Sequence, residues 1–445
     1  MKWMYCLAMV VMSLVIVSCD KEDDYRSGDE GGSIGGMTYD FTFSYSNDSS
    51  TGYVSKYYTH KVGNGFPVVI MADGYTQSDI DNGDYHDAVN KAVEAMFSIE
   101  PMSSLKQYFD IYEVTAVSEV SGITTKKRNT AFSTYHESST SVNILGDEDK
   151  IKYYARKALQ NDNLYYNALI LVLVNSSKYA GVTQLYARTD VTDSIAGGMS
   201  IAYVPANCTS NGKSCFKEVL CHEAVGHGIG KLRDEYYDNP VEPTDEVVAE
   251  FKEFQKDGIG LNVKYDTETE NEYVVPSRMT SSSLGTYNII IGAHTFKPDD
   301  TGYFLASDGG YASEELMWYQ GGGEYITLDK PYDASETKYL NFYTVKKNFY
   351  RPTWNSIMNS VFNDNGDMFN ALSRYLIYAR VMKTAQGASE NIHSEALQRR
   401  FMTFDLLYGT SASSAKGTCM NNKALSSGDD DMPRLHAPKI IIMNE

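Results

Sequence analysis

Cys221-His222-Glu223-Ala224-Val225-Gly226-His227-Gly228-Ile229-Gly230-Lys231-Leu232-Arg233-Asp234-Glu235-Tyr236 is the stretch whose reading decides the fold. Two histidines, a glutamate and two further carboxylates fall within fourteen residues of it. Neutral imidazole and carboxylate are the ligands that zinc takes outside all-cysteine structural sites. A catalytic zinc site needs three protein ligands, an open position and a nearby general base. His222 and His227 supply two ligands, Asp234 or Glu235 a third, and Glu223 a base.

The spacing is HExxxH, one residue longer than the common HExxH zinc-peptidase motif. On a regular α-helix, residues i and i+5 point about 140° apart, too wide for one ion. A π-type turn closes i to i+5 and realigns the two side chains. Gly226 stands where the backbone has to relax. The spacing therefore predicts a zinc helix with a local π-bulge between His222 and His227. Ser214 is placed to cap this helix, and Glu218 in its first turn complements the helix dipole. Val219, Leu220, Ala224 and Val225 give an apolar face. Gly228 and Gly230 end the helix. Cys221 points about 100° from His222 and reads as a buried apolar residue, not a fourth ligand.

The stretch resembles the metal-binding segment of the M64 peptidases, a family named for an endopeptidase that cleaves immunoglobulin A. The matching residues are His222, Glu223, Gly226, His227, Gly230, Asp234, Glu235 and Tyr236. The longer HExxGH form is also similar to dipeptidyl peptidase III, whose third ligand comes from a distant segment; the Gly230–Asp234 continuation favours M64. Arg351-Pro352-Thr353-Trp354-Asn355-Ser356-Ile357-Met358 resembles the Met-turn of metzincin-like peptidases, where a methionine floors the metal. Val68-Val69-Ile70-Met71-Ala72-Asp73-Gly74-Tyr75 resembles the first strand of the M64 domain. The resemblance extends from about Thr38 to the C-terminus. It implies zinc held by His222, His227 and Asp234, with Glu223 as the catalytic base and Glu235 competing as third ligand. Two departures stand out. Asp234 lies seven residues after His227, one more than in most metzincins, and Ser360 occupies the place of the astacin-type tyrosine.

At 445 residues and 42 % hydrophobic, the chain is long enough for one large or two ordinary globular domains. Its formal charge of −19 argues against a nucleic-acid partner. Lys2 and the apolar run of residues 7–17 form a secretory signal too short to span a bilayer. Ile16-Val17-Ser18-Cys19 resembles a bacterial lipobox. That implies cleavage before Cys19 and lipid on its thiol. Asp20-Lys21-Glu22-Asp23-Asp24 resembles the export signal of surface lipoproteins in Bacteroides-type bacteria. The expected organisation is a signal peptide (1–18), an acidic flexible tether (19–37) and a catalytic domain (38–445), lipid-anchored at the outer-membrane surface. An envelope location permits disulfides. Cys208 and Cys215 bracket a turn-rich loop and are placed to pair, while Cys221 and Cys419 leave the connectivity open.

Residues 66–72, 109–117, 168–174 and 197–204 read as strands, and 85–100, 150–160 and 370–382 as helices. This alternation predicts an α/β fold: a mixed, mostly parallel sheet with crossover helices. The resemblance adds a metzincin-like zinc helix, and a loop-rich lower half with a Met-turn. It also places the 197–204 strand at the sheet edge lining the cleft, where an extended peptide adds by backbone hydrogen bonds. Residues 238–346 are polar and turn-rich and read as insertions. Residues 363–367 read as a solvated turn, since no closing glutamate makes them a calcium loop. The combined reading is a zinc-dependent endopeptidase acting on extracellular proteins or glycoproteins, with immunoglobulin A suggested by the family name. Two other readings stand beside it: a non-catalytic surface lipoprotein that binds host glycan or protein, and a zinc exopeptidase.

Overall fold

A computed structural model describes residues 51–188, 197–236 and 244–265, with shorter pieces that include 356–358, 371–388 and 438–443. The expected signal peptide and lipobox-like cysteine, turn 363–367, Ser360 and Cys419 lie outside the described residues.

Seven strands form the main sheet: β1 (Val54–Tyr58), β2 (Phe66–Asp73), β3 (Phe109–Val114), β4 (Leu169–Val174), β5 (Val182–Arg188), β6 (Ser200–Pro205) and β7 (Lys439–Met443). Their spatial order is β7-β5-β6-β4-β2-β3-β1. The four contacts β2–β3, β2–β4, β4–β6 and β5–β7 are parallel; β1–β3 and β5–β6 are antiparallel. The expected mixed, mostly parallel sheet is present. β2, β4 and β6 are buried along their whole length, which is why they read as unbroken apolar runs. Each fully buried valine, leucine or isoleucine in them contributes about 1.5–3 kcal/mol.

The crossover helices follow from the sequence. Helix α1 (Asp84–Met96) links β2 to β3 and buries Tyr85, Ala88, Val89, Ala92, Val93 and Met96. Helix α2 (Glu148–Ala158) precedes β4; the Asp147 side chain caps it by accepting from Lys150 N, and Ile151, Tyr154 and Ala155 face the core. After β6 comes α3 (Phe216–Leu220). A further helix, α4 (Asp245–Lys256), capped by Thr244, occupies part of the stretch expected to be insertions only. Helix α5 (Ala371–Gln386) matches the expectation for 370–382. Among the described residues no helix is long and apolar enough to cross a membrane.

One expectation is corrected. The strand predicted over 197–204 is β6, and it is not an edge: β5 pairs with it on one side and β4 on the other. β5, whose apolar and polar residues alternate without a long apolar run, is the antiparallel strand outside it. β5 is itself covered by β7 from Gln184 to Arg188.

Candidate active site

The polypeptide leaves β6 through a tight loop. Thr209–Ser210 and Lys213–Ser214 pair as a short hairpin, and Cys208 and Cys215 form a disulfide, the pairing their spacing suggested. The expected cap is corrected here: Ser214 belongs to the hairpin, and Cys215 is the N-cap of α3 without a side-chain hydrogen bond. The crosslink in place of a hydroxyl fixes where the helix starts.

α3 then changes pitch. Cys221–Ile229 is a π-helix, a longer departure from α-geometry than the single bulge expected. Gly230 N donates to Val225 O at 2.8 Å, a five-residue spacing. The result is the alignment that HExxxH requires. The rings of His222 and His227 lie 4.7 Å apart at 89°, with their Nε2 atoms 3.1 Å from each other. Gly226 permits a close approach from outside the helix: a Cβ there would come within 2.2 Å of Met358 Sδ.

The ring tautomers follow from the partners. His222 Nδ1 meets the carbonyl of Ile357 at 2.7 Å, and His227 Nδ1 meets that of Leu232 at 2.8 Å. A carbonyl only accepts, so each Nδ1 carries the proton and donates it. In the neutral rings both Nε2 atoms are then lone pairs, and they face one another. Asp234 Oδ1 joins them, 3.0 Å from His222 Nε2 and 3.3 Å from His227 Nε2. Neither Asp234 oxygen has a well-directed hydrogen bond among the described residues, although the side chain is buried.

Three electron-rich atoms converging in a buried space call for a cation. Burial alone would lower His222, but its contact with Asp234 and the Asp234 charge outweigh that and push it up to about 9. Burial would raise Asp234, but His227 and His222 bring it down to about 2. Two imidazole nitrogens and a carboxylate oxygen are the donor set of a zinc site with an open position, so the residues fit that ion.

Glu223 completes the group. A carboxylate oxygen of Glu223 and one nitrogen from each histidine all lie within 4.8 Å of one another. Its Oε2 accepts from Thr183 Oγ1 at 2.7 Å, while Oε1 is buried without a hydrogen-bond partner among the described residues. Burial raises its pKa above the ordinary carboxylate value, opposed by His227, His222 and Thr183. Glu235, the competitor for third donor, is turned elsewhere: Asn262 Nδ2 donates to its Oε1 at 3.0 Å and Ser373 Oγ lies 3.5 Å away. Cys221 also points away, with Sγ 3.5 Å from Ala95 O. The segment around Met358 packs against the group from far along the chain. Besides the Ile357 carbonyl on His222, Met358 O accepts from Glu235 N at 2.8 Å.

The sequence reading placed His222, Glu223, His227 and Asp234 together, and the structure brings all four into one cluster. It missed Thr183 and Gly181, both next to Glu223. Nothing in Ala180-Gly181-Val182-Thr183 marks that proximity, which arises from strand pairing.

Fold and cluster define an α/β protein with a buried imidazole–carboxylate centre. The model of the IgA peptidase M64 family matches residues 59–271, a span holding β2 to β6 and the entire cluster. Over that span, just under half of its length, the chain is similar to the M64 peptidases, which supports a peptide hydrolase. No curated protein matches the chain.

Proposed function

We propose that the protein is a zinc-dependent endopeptidase that cleaves extracellular proteins or glycoproteins. In this proposal it works at the bacterial outer surface, held there by lipid on Cys19. The observation that carries the catalytic part is the meeting of His222 Nε2, His227 Nε2 and Asp234 Oδ1 at 3.0–3.3 Å while both Nδ1 protons are committed to carbonyls. Met358 packed against Gly226 supports a metzincin-like floor. The surface location rests on the lipobox-like segment and acidic tether.

In this reading His222, His227 and Asp234 hold the ion. When bound, zinc supplies Lewis acidity toward the scissile carbonyl and the attacking water. Glu223 takes the water proton on Oε1, keeping Oε2 on Thr183, and passes it to the leaving amine. Its raised pKa suits a group that has to hold a proton between those two events. Asp234 stays ionised and offsets charge at the ion. Thr183 and the two carbonyls keep the side chains oriented in a water-poor surrounding.

Elemental analysis of dialysed residues 20–445 tests this, beside His227→Ala and Glu223→Gln variants and with casein as the probe substrate. About one zinc per chain is expected in the wild type and in Glu223→Gln, and none in His227→Ala. Internal casein fragments are expected from the wild type alone. Release of terminal dipeptides would favour the exopeptidase reading. No zinc in the wild type after zinc is offered would leave the binding lipoprotein.

A further inference from the structure

Glu223 is seated from one side by a single strand. Thr183 on β5 is buried, and its Oγ1 lies 2.7 Å from Glu223 Oε2 and 2.9 Å from the Glu223 backbone oxygen. A hydroxyl has one proton, so the two acceptors share it, and the side chain and main chain of Glu223 are tied to one point. Two residues earlier, Gly181 leaves the space that the carboxylate occupies. A Cβ at Gly181 would come 2.9 Å from Glu223 Cγ and 3.0 Å from Oε1. Neither residue is loosely placed. Gly181 N donates to Val142 O at 3.1 Å, and Thr183 stands opposite Ala202 in the β5–β6 ladder.

We propose that Gly181 and Thr183 form a seat that sets the direction of the Glu223 carboxylate, with Thr183 a positioning residue for the base. The inference rests on Glu223 being the base of a metal-dependent peptidase. The physical reason is the last torsion of a glutamate side chain, which is broad and roughly two-fold. Left alone, the two oxygens exchange places or settle between them. With Oε2 on the Thr183 hydroxyl and the Gly181 side closed to anything larger than hydrogen, Oε1 is the oxygen left to receive a proton. The sheet, and not the helix that carries Glu223, then decides which oxygen reacts.

Three variants test it: Thr183→Val removes the donor at nearly constant shape, Thr183→Ser keeps it, and Gly181→Ala pushes on the carboxylate with the donor in place. Zinc per chain, kcat and KM on dye-quenched casein, and crystal structures of each variant are the readouts. Thr183→Val and Gly181→Ala are expected to keep wild-type zinc and KM while kcat falls about tenfold to hundredfold. The Glu223 carboxylate is expected to rotate in both, and Thr183→Ser to keep its position and most of kcat. Wild-type kcat in Thr183→Val overturns the proposal. So does a fall in kcat with an unmoved carboxylate, or a Thr183→Ser variant as impaired as the valine. If Thr183→Val does not fold, Gly181→Ala against Thr183→Ser decides by the same criteria. A wild type without zinc-dependent cleavage would overturn the peptidase reading instead. The carboxylate positions in the crystals would then still report on the seat.

Discussion

Asp73 and Asp234 are both almost fully buried carboxylates, and their surroundings are opposite. Asp73 ends β2 and is saturated with donors. Phe132 N at 2.8 Å and Ser118 Oγ at 3.3 Å reach Oδ1; Thr134 N at 3.0 Å and the hydroxyls of Thr130 and Thr134 reach Oδ2. Asp234 receives no well-directed donor among the described residues and faces the Nε2 atoms of two imidazoles. A buried charge matched at every lone pair is structural: it pins the 118–134 loop to the sheet. A buried charge left unmatched is destabilising unless something outside the chain matches it. Burial alone does not separate the two; donor count does.

The comparison can be broken at either carboxylate. Asp234→Asn is expected to have the largest effect, with bound zinc falling from about one per chain to none and casein cleavage lost with it; elemental analysis checks it. Asp73→Asn should act the other way. The amide nitrogen would face donors, costing about 3 kcal/mol in urea unfolding, while the folded fraction keeps its zinc. Retained zinc in the first variant, or lost zinc in the second, would mean that the two carboxylates do not have separate roles. The smallest effect concerns imidazoles. His222 beside Asp234 is driven up, whereas His136, with Nε2 on Ser176 Oγ at 2.9 Å, is pushed down to about 4 by burial and by Lys178. A folded value below the ordinary 6.5 means the fold favours neutral His136. Its contribution to stability is therefore full above about pH 6.5 and is lost as pH falls toward 4. Urea midpoints at pH 7 and pH 5 should converge in His136→Gln relative to the wild type.

Much of this was legible in the chain. The apolar runs of β2, β4 and β6 announce buried strands, and the HExxxH spacing is incompatible with convergence on a regular α-helix. The π-helix is thus implied by two histidines and one constraint. Its full length was not, because local propensity does not distinguish one wide turn from several. β5 escaped notice because Val182-Thr183-Gln184-Leu185-Tyr186 alternates weakly, and β1 and β7 because five-residue strands are held in place mainly by their neighbours. Placing β6 at the edge failed for the same reason, since the edge is a property of pairing. That Asp234 faces the histidines while Glu235 turns toward Asn262 and Ser373 was beyond sequence, because it depends on tertiary packing.

The carbonyl that orients His222 belongs to Ile357, 135 residues downstream. The order in which a chain is made therefore matters. During synthesis the helix with both histidines emerges long before the group that locks the first ring. A fragment ending at residue 271, the end of the family match, would contain every proposed ligand and still lack that lock. In the proposed reading, the centre stays without that lock until the segment holding Ile357 has folded back onto it.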